Sequence, residues 1–543
     1  MLATTLLWCA VLCQEVPETV YVNGAVYTVD SAFSKAEAIA VKDGRIVAVG
    51  TTDDVKRLMG AATHTVDLKG RCVTPGLIDS HGHMAGLGSY ASGRLDLHDA
   101  KSFDDVVKAV KAAVAKAKPG EWILGGRWDQ SLWGQKEFPS HEKLSAVSPD
   151  NPVWLDRVDG HAGLANAAAM EVAKVTKQTP NPRGGEVLRD AGGNATGMFV
   201  DNATPLVERH IPGGKRTAAD LILAAQEKCL AVGLTGVHDA GIGLAELEAY
   251  RAMAEDGRLR MRIYAMMGAS LGAEYFRSHK PESGERFSAR AIKCMIDGAM
   301  GSRGAWLLED YADRPGHRGL PVQTPEFIAS VCAAASEGGW QVCTHAIGDR
   351  GVRETLDVYE RASKGNRRLR WRVEHAQCPA VEDIARFAKL GVIPSMQQTH
   401  ATSDMRWAEA RVGPERVKGA YAWRKFADAG CRIAGGSDFP VESENPLWGI
   451  YAGVTRQDHD GKPAGGWRPE ERQTRQEALR SFTIDGAYAA FEEKEKGSLE
   501  RGKMADFVAW SVDIVTCDPK ELLAAVPVLV VIAGRTEVDK TSK

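Results

Sequence analysis

Eight short apolar runs, most of them followed by a stretch of helical periodicity, constrain this chain more than any other feature. They are "VTPGLIDSHGH", "LTGVHDAG", "MRIYAMMG", "AIKCMIDGAM", "WQVCTHAIGD", "RWRVEHAQ", "GVIPSMQQTH" and "CRIAGGSDFP". Helical stretches such as "DVVKAVKAAVAKAK", "FIASVCAAASEGG", "GVRETLDVYERASK" and "VEDIARFAKLG" carry apolar residues at i, i+3, i+4 spacing, as outer helices of a barrel should. Strands alternating with helices read as repeated βα units and a parallel sheet, and eight of them favour an α/β fold of the TIM-like (β/α)8 type. At 543 residues there is room for more than the barrel.

The remainder falls into two places. From Thr19 to about Gly70 the chain reads as short strands with Asn23-Gly24 and Asp43-Gly44 turns, and the same texture returns in "GSLERGKMADFVAWSVD" and "VPVLVVIAGRTEV". The expectation is a small β-sandwich built from both chain ends, residues 19–73 and 495–543, around a barrel of residues 74–494. More than a hundred residues separate the first strand from the second, where a βα loop needs only a few, so an inserted lid subdomain is expected over about 88–225. It holds "GRWDQSLWGQ" and "NPVWLDRVDGHAGLAN".

Composition narrows the partners. A net charge of −3 offers no basic surface for nucleic acid, and a small-molecule substrate is expected instead. Ten cysteines form no C-x-x-C pair, and Cys294, Cys343 and Cys431 sit in apolar runs, as free thiols do. The opening "MLATTLLWCAVLCQE" is too short to span a bilayer and long enough for the core of a signal peptide, without a basic n-region or a clean cleavage site. Residues 1–18 therefore read as a signal peptide or a frayed leader, and export and cytoplasmic residence both stay open. No other segment reaches ~18 uninterrupted apolar residues, so no membrane span is expected.

Polar residues collect at the C-terminal ends of the expected strands, where a barrel gathers distant positions onto one mouth. His81 and His83 end the first strand, with Gly82 between them for close approach; alternation points both to one side, as half a metal site. Lys293 lies in the fourth strand, His345 ends the fifth, His375 the sixth and Asp438 the eighth. In "AIKCMIDGAM" Lys293, Met295 and Asp297 share the face opposite Ile292, Cys294 and Ile296, and an inward lysine is costly to bury charged. Its readings are an ion pair with Asp297, a snorkelling side chain, or a neutral amine converted into an anionic ligand.

These motifs carry a resemblance over nearly the whole chain. "VTPGLIDSHGH", "GSDFP" and "GSLERGKMADFVAW" resemble the amidohydrolase superfamily, and "THAIGDRG", "VEHAQ", "DGAMGSRGA" and the long insertion resemble its YtcJ-like branch, amidohydrolase family 3. The resemblance implies a β-sandwich flanking a (β/α)8 barrel. It also implies that His81, His83 and Asp438 hold a first ion and His345 and His375 a second, with Lys293, carboxylated, bridging them. Nitrogen and carboxylate ligands suit Zn²⁺, and also Mn²⁺ or Fe²⁺, and one or two ions are compatible with the pattern. Such an ion brings the pKa of its water from ~15.7 to roughly 7. Asp438 would take the proton of the attacking water and deliver it to the departing amine.

His161, in "RVDGH", is a candidate for contacting the oxyanion or substrate, or for a structural bond inside the lid. His238 reads as a residue behind the ligands. Asp297 and His400, with Asp404 near it, are candidates for substrate contact. So is Trp128, whose ring, with Trp133, Trp306, Trp407 and Trp448, is expected to favour aryl groups. The leading expectation is a metal-dependent hydrolase of C–N bonds in amides, N-acyl or N-formyl amines. Hydrolysis of a cyclic amide, lactone, ester or amidine is the alternative on the same site. A non-catalytic scaffold would be marked by lost ligands, and every ligand position is filled.

Overall fold

The computed structural model describes residues 15–134, 137–214 and 216–541. The eight apolar runs form eight parallel strands: β1 (Leu77–Gly82), β2 (Leu234–Ile242), β3 (Arg262–Gly268), β4 (Phe287–Met295), β5 (Gln341–Ala346), β6 (Arg372–His375), β7 (Ile393–Gln397) and β8 (Ala434–Gly436). Each hydrogen-bonds to the next in chain order, from β1 through β8. The ring closes just beyond β8, where the Asp438 N–H donates to the His81 carbonyl at 2.7 Å. Between those ends the Asp79 carboxylate takes the place of ladder bonds, accepting from the Ser437 hydroxyl at 2.6 Å and from the His81 N–H at 3.0 Å.

Helices of matching periodicity sheath the barrel, among them Pro325–Gly338, Asp349–Ser363 and Val381–Leu390. The last stops at Gly391, whose φ of 70° is a left-handed cap that glycine takes without penalty. The helix Phe103–Val114 has the same periodicity but a different place. Its Val106 and Val110 are buried in the core of the insertion, so it is a helix of the lid and not of the barrel wall.

That insertion is a six-stranded mixed sheet in spatial order Gly185–Arg189, Ala195–Asp201, Ala162–Ala165, Val153–Arg157, Ile123–Trp128 and Leu95–Asp96. At the opposite end of the barrel strands lie two further sheets. One joins Arg45–Gly50, Ala38–Lys42, Thr19–Val22 and His64–Asp67. The other mixes both chain ends, with Phe507–Trp510 antiparallel to Cys72–Pro75. Tyr21, Val26, Ile39, Val73, Phe507 and Val531 fill one core between them, and the Tyr21 and Phe507 rings meet edge to face at 4.8 Å.

The eight described cysteines are free thiols, six of them buried. No helix among the described residues is long and apolar enough to cross a membrane. The leader expected over residues 1–18 lies, up to residue 14, outside the described residues.

Candidate metal centre

β1 runs into the barrel mouth and ends on the two histidines. His81 is fully buried, and His83 caps the helix Met84–Ala91. Gly82 between them faces the buried Phe439 ring, which a Cβ would meet at 2.5 Å, so glycine is required here for "HGH" to lie against "SDFP". Asp438 sits just past β8 with φ 60°. Its Oδ1 is 3.0 Å from His83 Nε2 and 3.6 Å from His81 Nε2. Ligand atoms of His81, His83 and Asp438 all lie within 4.8 Å of one another.

The ring nitrogens that face away from this point are already engaged. His81 Nδ1–H donates to Glu374 Oε2 at 2.5 Å, and His83 Nδ1–H donates to the Ala240 carbonyl at 2.9 Å. His375 Nδ1–H donates to Gln397 Oε1 at 2.8 Å. Each bond fixes a tautomer and turns Nε2 to the centre, as outer partners of metal-binding histidines do. His345 is turned the other way, with Nε2 at 3.4 Å from the Gly298 carbonyl. The rings form a connected set, His81 to His375 at 4.8 Å and His375 to His345 at 4.5 Å between centroids.

Burial holds three of the imidazoles neutral. Burial, and then the Lys293 charge, lower His81 to about 4, and burial takes His345 and His375 well below the ordinary histidine value. Burial would raise the Asp438 carboxyl, but the bond with His83 and the neighbouring imidazoles hold it well below the usual carboxylate range. With His83 Nδ1–H spent on Ala240, the close pair of Nε2 and Oδ1 needs a positive charge between them. Either a proton on the imidazole or a metal ion in its place supplies it, so the donor set fits a divalent cation.

Lys293 is buried and donates from Nζ to His81 Nε2 at 2.9 Å. Burial lowers its pKa from the ordinary lysine value. No ion pair forms between Lys293 and Asp297. The Asp297 carboxylate accepts instead from the backbone N–H groups of Trp306, Ile347 and Gly348 at 2.8–3.0 Å, and burial raises it to about 7. Asp297, expected to contact substrate, therefore ties the loops after β4 and β5 together and has no face open to a ligand.

Trp128 is likewise redirected. It is 1% exposed, stacks on Trp133 at 5.7 Å and donates Nε1–H to the Leu155 carbonyl at 3.0 Å. The lid's own core claims this ring because burying it inside the sheet removes more apolar area than a wet mouth could. Trp306, Trp407 and Trp448 are half-buried in the segments after β4, β7 and β8, Trp448 within the helix Pro446–Thr455. His400 does reach the mouth, its Nε2 buried without a partner and 4.0 Å from Asp438 Oδ2. Asp404 near it accepts from the Tyr421 hydroxyl at 2.7 Å, and burial raises it to about 7. His161 of the lid arrives with its ring 4.8 Å from that of His345.

Sequence reasoning missed the support beneath the ligands. Arg372 and Glu374 are both fully buried in β6, and the Arg372 guanidinium donates to Glu374 Oε2 at 2.9 Å, to Ser395 Oγ at 2.8 Å and to His238 Nδ1 at 3.0 Å. Burial would raise Glu374, but the Arg372 charge and the His81 bond hold it well below its ordinary value, so it stays ionised against His81. The signal was available: "RVEH" places two opposite charges two apart on one face of a buried strand, which no isolated charge would survive. His238 is placed behind the ligands, against Arg372.

A parallel barrel with histidines and an aspartate at its C-terminal mouth defines the class of the metal-dependent hydrolases built on this fold. The sequence profile of the amidohydrolase family matches residues 64–538, and the chain belongs to that family, in its YtcJ-like branch. It is 30% identical to the putative amidohydrolase YtcJ of Bacillus subtilis (strain 168), over 93% of this chain and 96% of that protein. It is 29% identical to an N-substituted formamide deformylase of Arthrobacter pascens, over 92% of this chain and 94% of the deformylase. Among solved structures, an uncharacterized metal-dependent hydrolase from Pyrococcus furiosus superposes with a TM-score of 0.72 at 29% identity, covering 92% of this chain and 99% of the other.

Proposed function

We propose that this protein hydrolyses C–N bonds in amides of the N-formyl or N-acyl amine class at the mouth of its barrel. The observation that carries the reading is the convergence of His81, His83 and Asp438, whose remaining ring nitrogens are already bonded elsewhere. The likeness to the deformylase over nearly the full length of both chains supports the bond type. In this reading His81, His83 and Asp438 would hold one divalent ion, zinc by ligand preference, and His345 and His375 would hold a second. Lys293 would add an anionic ligand as a carbamate: its Nζ, after losing a proton, would form a bond to the carbon of CO2 and give up a second proton, leaving a carboxylate.

Bound metal supplies water activated at neutral pH and a Lewis acid for the carbonyl. The chain's own groups move the protons. Asp438, ionised in the resting site, accepts the proton of the attacking water and passes it to the departing nitrogen, which leaves as the amine. His400 Nε2, buried and without a partner beside Asp438, would bond substrate. Burial would lower the His161 pKa, but the Asp201 bond and charge raise it, and the imidazolium this favours would donate from Nε2 toward the developing oxyanion.

Metal analysis of the purified protein, together with turnover of matched N-formyl amines, N-acyl amines, lactones and esters, tests this. A metal-loaded enzyme that prefers the formyl or acyl amines is the expected result. Preference for a lactone or ester would transfer the same site to another bond, and a metal-free protein would end the reading.

A further inference from the structure

The loop after β4 reads "DGAMGSRG", and its three glycines have no role in the chemistry above. Two of them, Gly298 and Gly304, surround the carboxylate of Asp201, and a Cβ on either would overlap it. The third, Gly301, lies against the Arg157 guanidinium, which a Cβ would meet at 2.8 Å. Both of these lid groups are buried. The barrel loop is thus a seat shaped by absent side chains for two charged residues of the inserted sheet.

Asp201 ends the lid strand Ala195–Asp201, and His161 precedes the strand Ala162–Ala165 beside it. They follow the Ala162–Val200 cross-strand pair and latch twice. The Asp201 N–H donates to the His161 carbonyl at 2.7 Å, and His161 Nδ1–H donates to Asp201 Oδ1 at 2.7 Å. The imidazole is thereby fixed as to tautomer and ring plane, with Nε2 free of protein partners and the ring beside His345. Gly298 also connects the two histidines, since its carbonyl is the group 3.4 Å from His345 Nε2.

We propose that Asp201, held in the Gly298–Gly304 seat, is a positioning residue that aims His161 of the lid at the barrel's metal centre. The proposal rests on the functional reading above for what His161 does there. It makes the lid part of the active site by one bond and gives the glycine-rich loop the task of registering lid to barrel. A displacement of the imidazole by about 1 Å is enough to cost a large factor in turnover.

The test compares Asp201→Ala, Asp201→Asn and Gly298→Ala with the wild type, all metal-loaded, by kinetics and by crystal structure. Asn keeps an Oδ1 acceptor for His161 Nδ1–H and nearly the same shape; Ala removes it; Gly298→Ala expels the carboxylate while leaving Asp201 in the sequence. Expected are kcat losses of ~10- to 100-fold for Asp201→Ala and Gly298→Ala with KM and metal content little changed, and a His161 ring left in its wild-type place in Asp201→Asn. The double variant Asp201→Ala/His161→Ala should be no slower than His161→Ala alone, because both act through one group. In the crystals the imidazole should turn away from His345 in the Ala variants only. An unmoved ring in Asp201→Ala, losses that add to those of His161→Ala, or a ring displaced in Asp201→Asn would overturn the proposal. If the wild type cleaves none of the amides, the functional reading fails, and the crystal structures still decide this one.

Discussion

Asp438 concentrates the chemistry at the residue scale, because one carboxylate lies against two imidazoles that both face it. Replacing it by Asn keeps the shape and removes the charge and the proton acceptor together. Turnover should fall on the order of a thousandfold or more while the fold survives, as judged by an unshifted melting temperature. Lys293 supplies a second test. Lys293→Ala should lose metal and activity, and a short carboxylic acid or bicarbonate should restore part of both by occupying the space of the carbamate. Full activity of the wild type under carbon-dioxide-free conditions, with an unmodified lysine seen by crystallography, would point to a one-ion site.

At the scale of elements, the lid is a folded unit with its own core, and the Trp128 ring belongs to that core rather than to the substrate. Trp128→Ala should cost about 3–5 kcal/mol of stability, as truncation of a large buried aromatic does, and denaturant unfolding reads it directly. The ratio of kcat/KM between benzyl and methyl amides should not change. A narrowed ratio with unchanged stability would return the ring to the substrate wall. The tryptophan-rich insertion leaves the two outcomes nearly even in the sequence, and burial of the indole favours the first.

For the whole molecule, the buried pair of Arg262 on β3 and Asp506 fastens the barrel to the sheets made by the chain ends, with Arg262 Nη2 to Asp506 Oδ1 at 2.9 Å. Burial would raise the Asp506 carboxyl, and the Arg262 charge outweighs it, leaving the folded pKa below the ordinary value. Stabilisation from a depressed carboxylate is present above the unfolded pKa of ~3.9 and is lost as pH falls through the folded value. Asp506→Asn should therefore destabilise the protein by about 3–5 kcal/mol at pH 7, where it strands a buried guanidinium. The difference between wild type and variant should shrink as unfolding is measured at progressively lower pH below ~4. A gap independent of pH would mean that packing, not the ion pair, joins the two parts.

Two kinds of information were legible in the residues alone. Short, near-continuous apolar runs alternating with helical stretches specify a parallel βα barrel because each strand buries both faces and each helix only one. Chemistry-bearing side chains at the strand ends then mark the mouth, which is why His81, His83, His345, His375 and Asp438 could be gathered before any coordinates. What the sequence did not carry is which polar group faces which. Asp297 shares the inward face of Lys293, yet turns to three backbone N–H groups contributed by two different loops. Asp201 stands far from every motif along the chain and meets His161 only through the pairing of the lid strands. Side-chain periodicity is a local property of the backbone, fixed by residues within a few positions, whereas hydrogen-bond partnership across loops and inserted strands exists only once distant segments have been packed together.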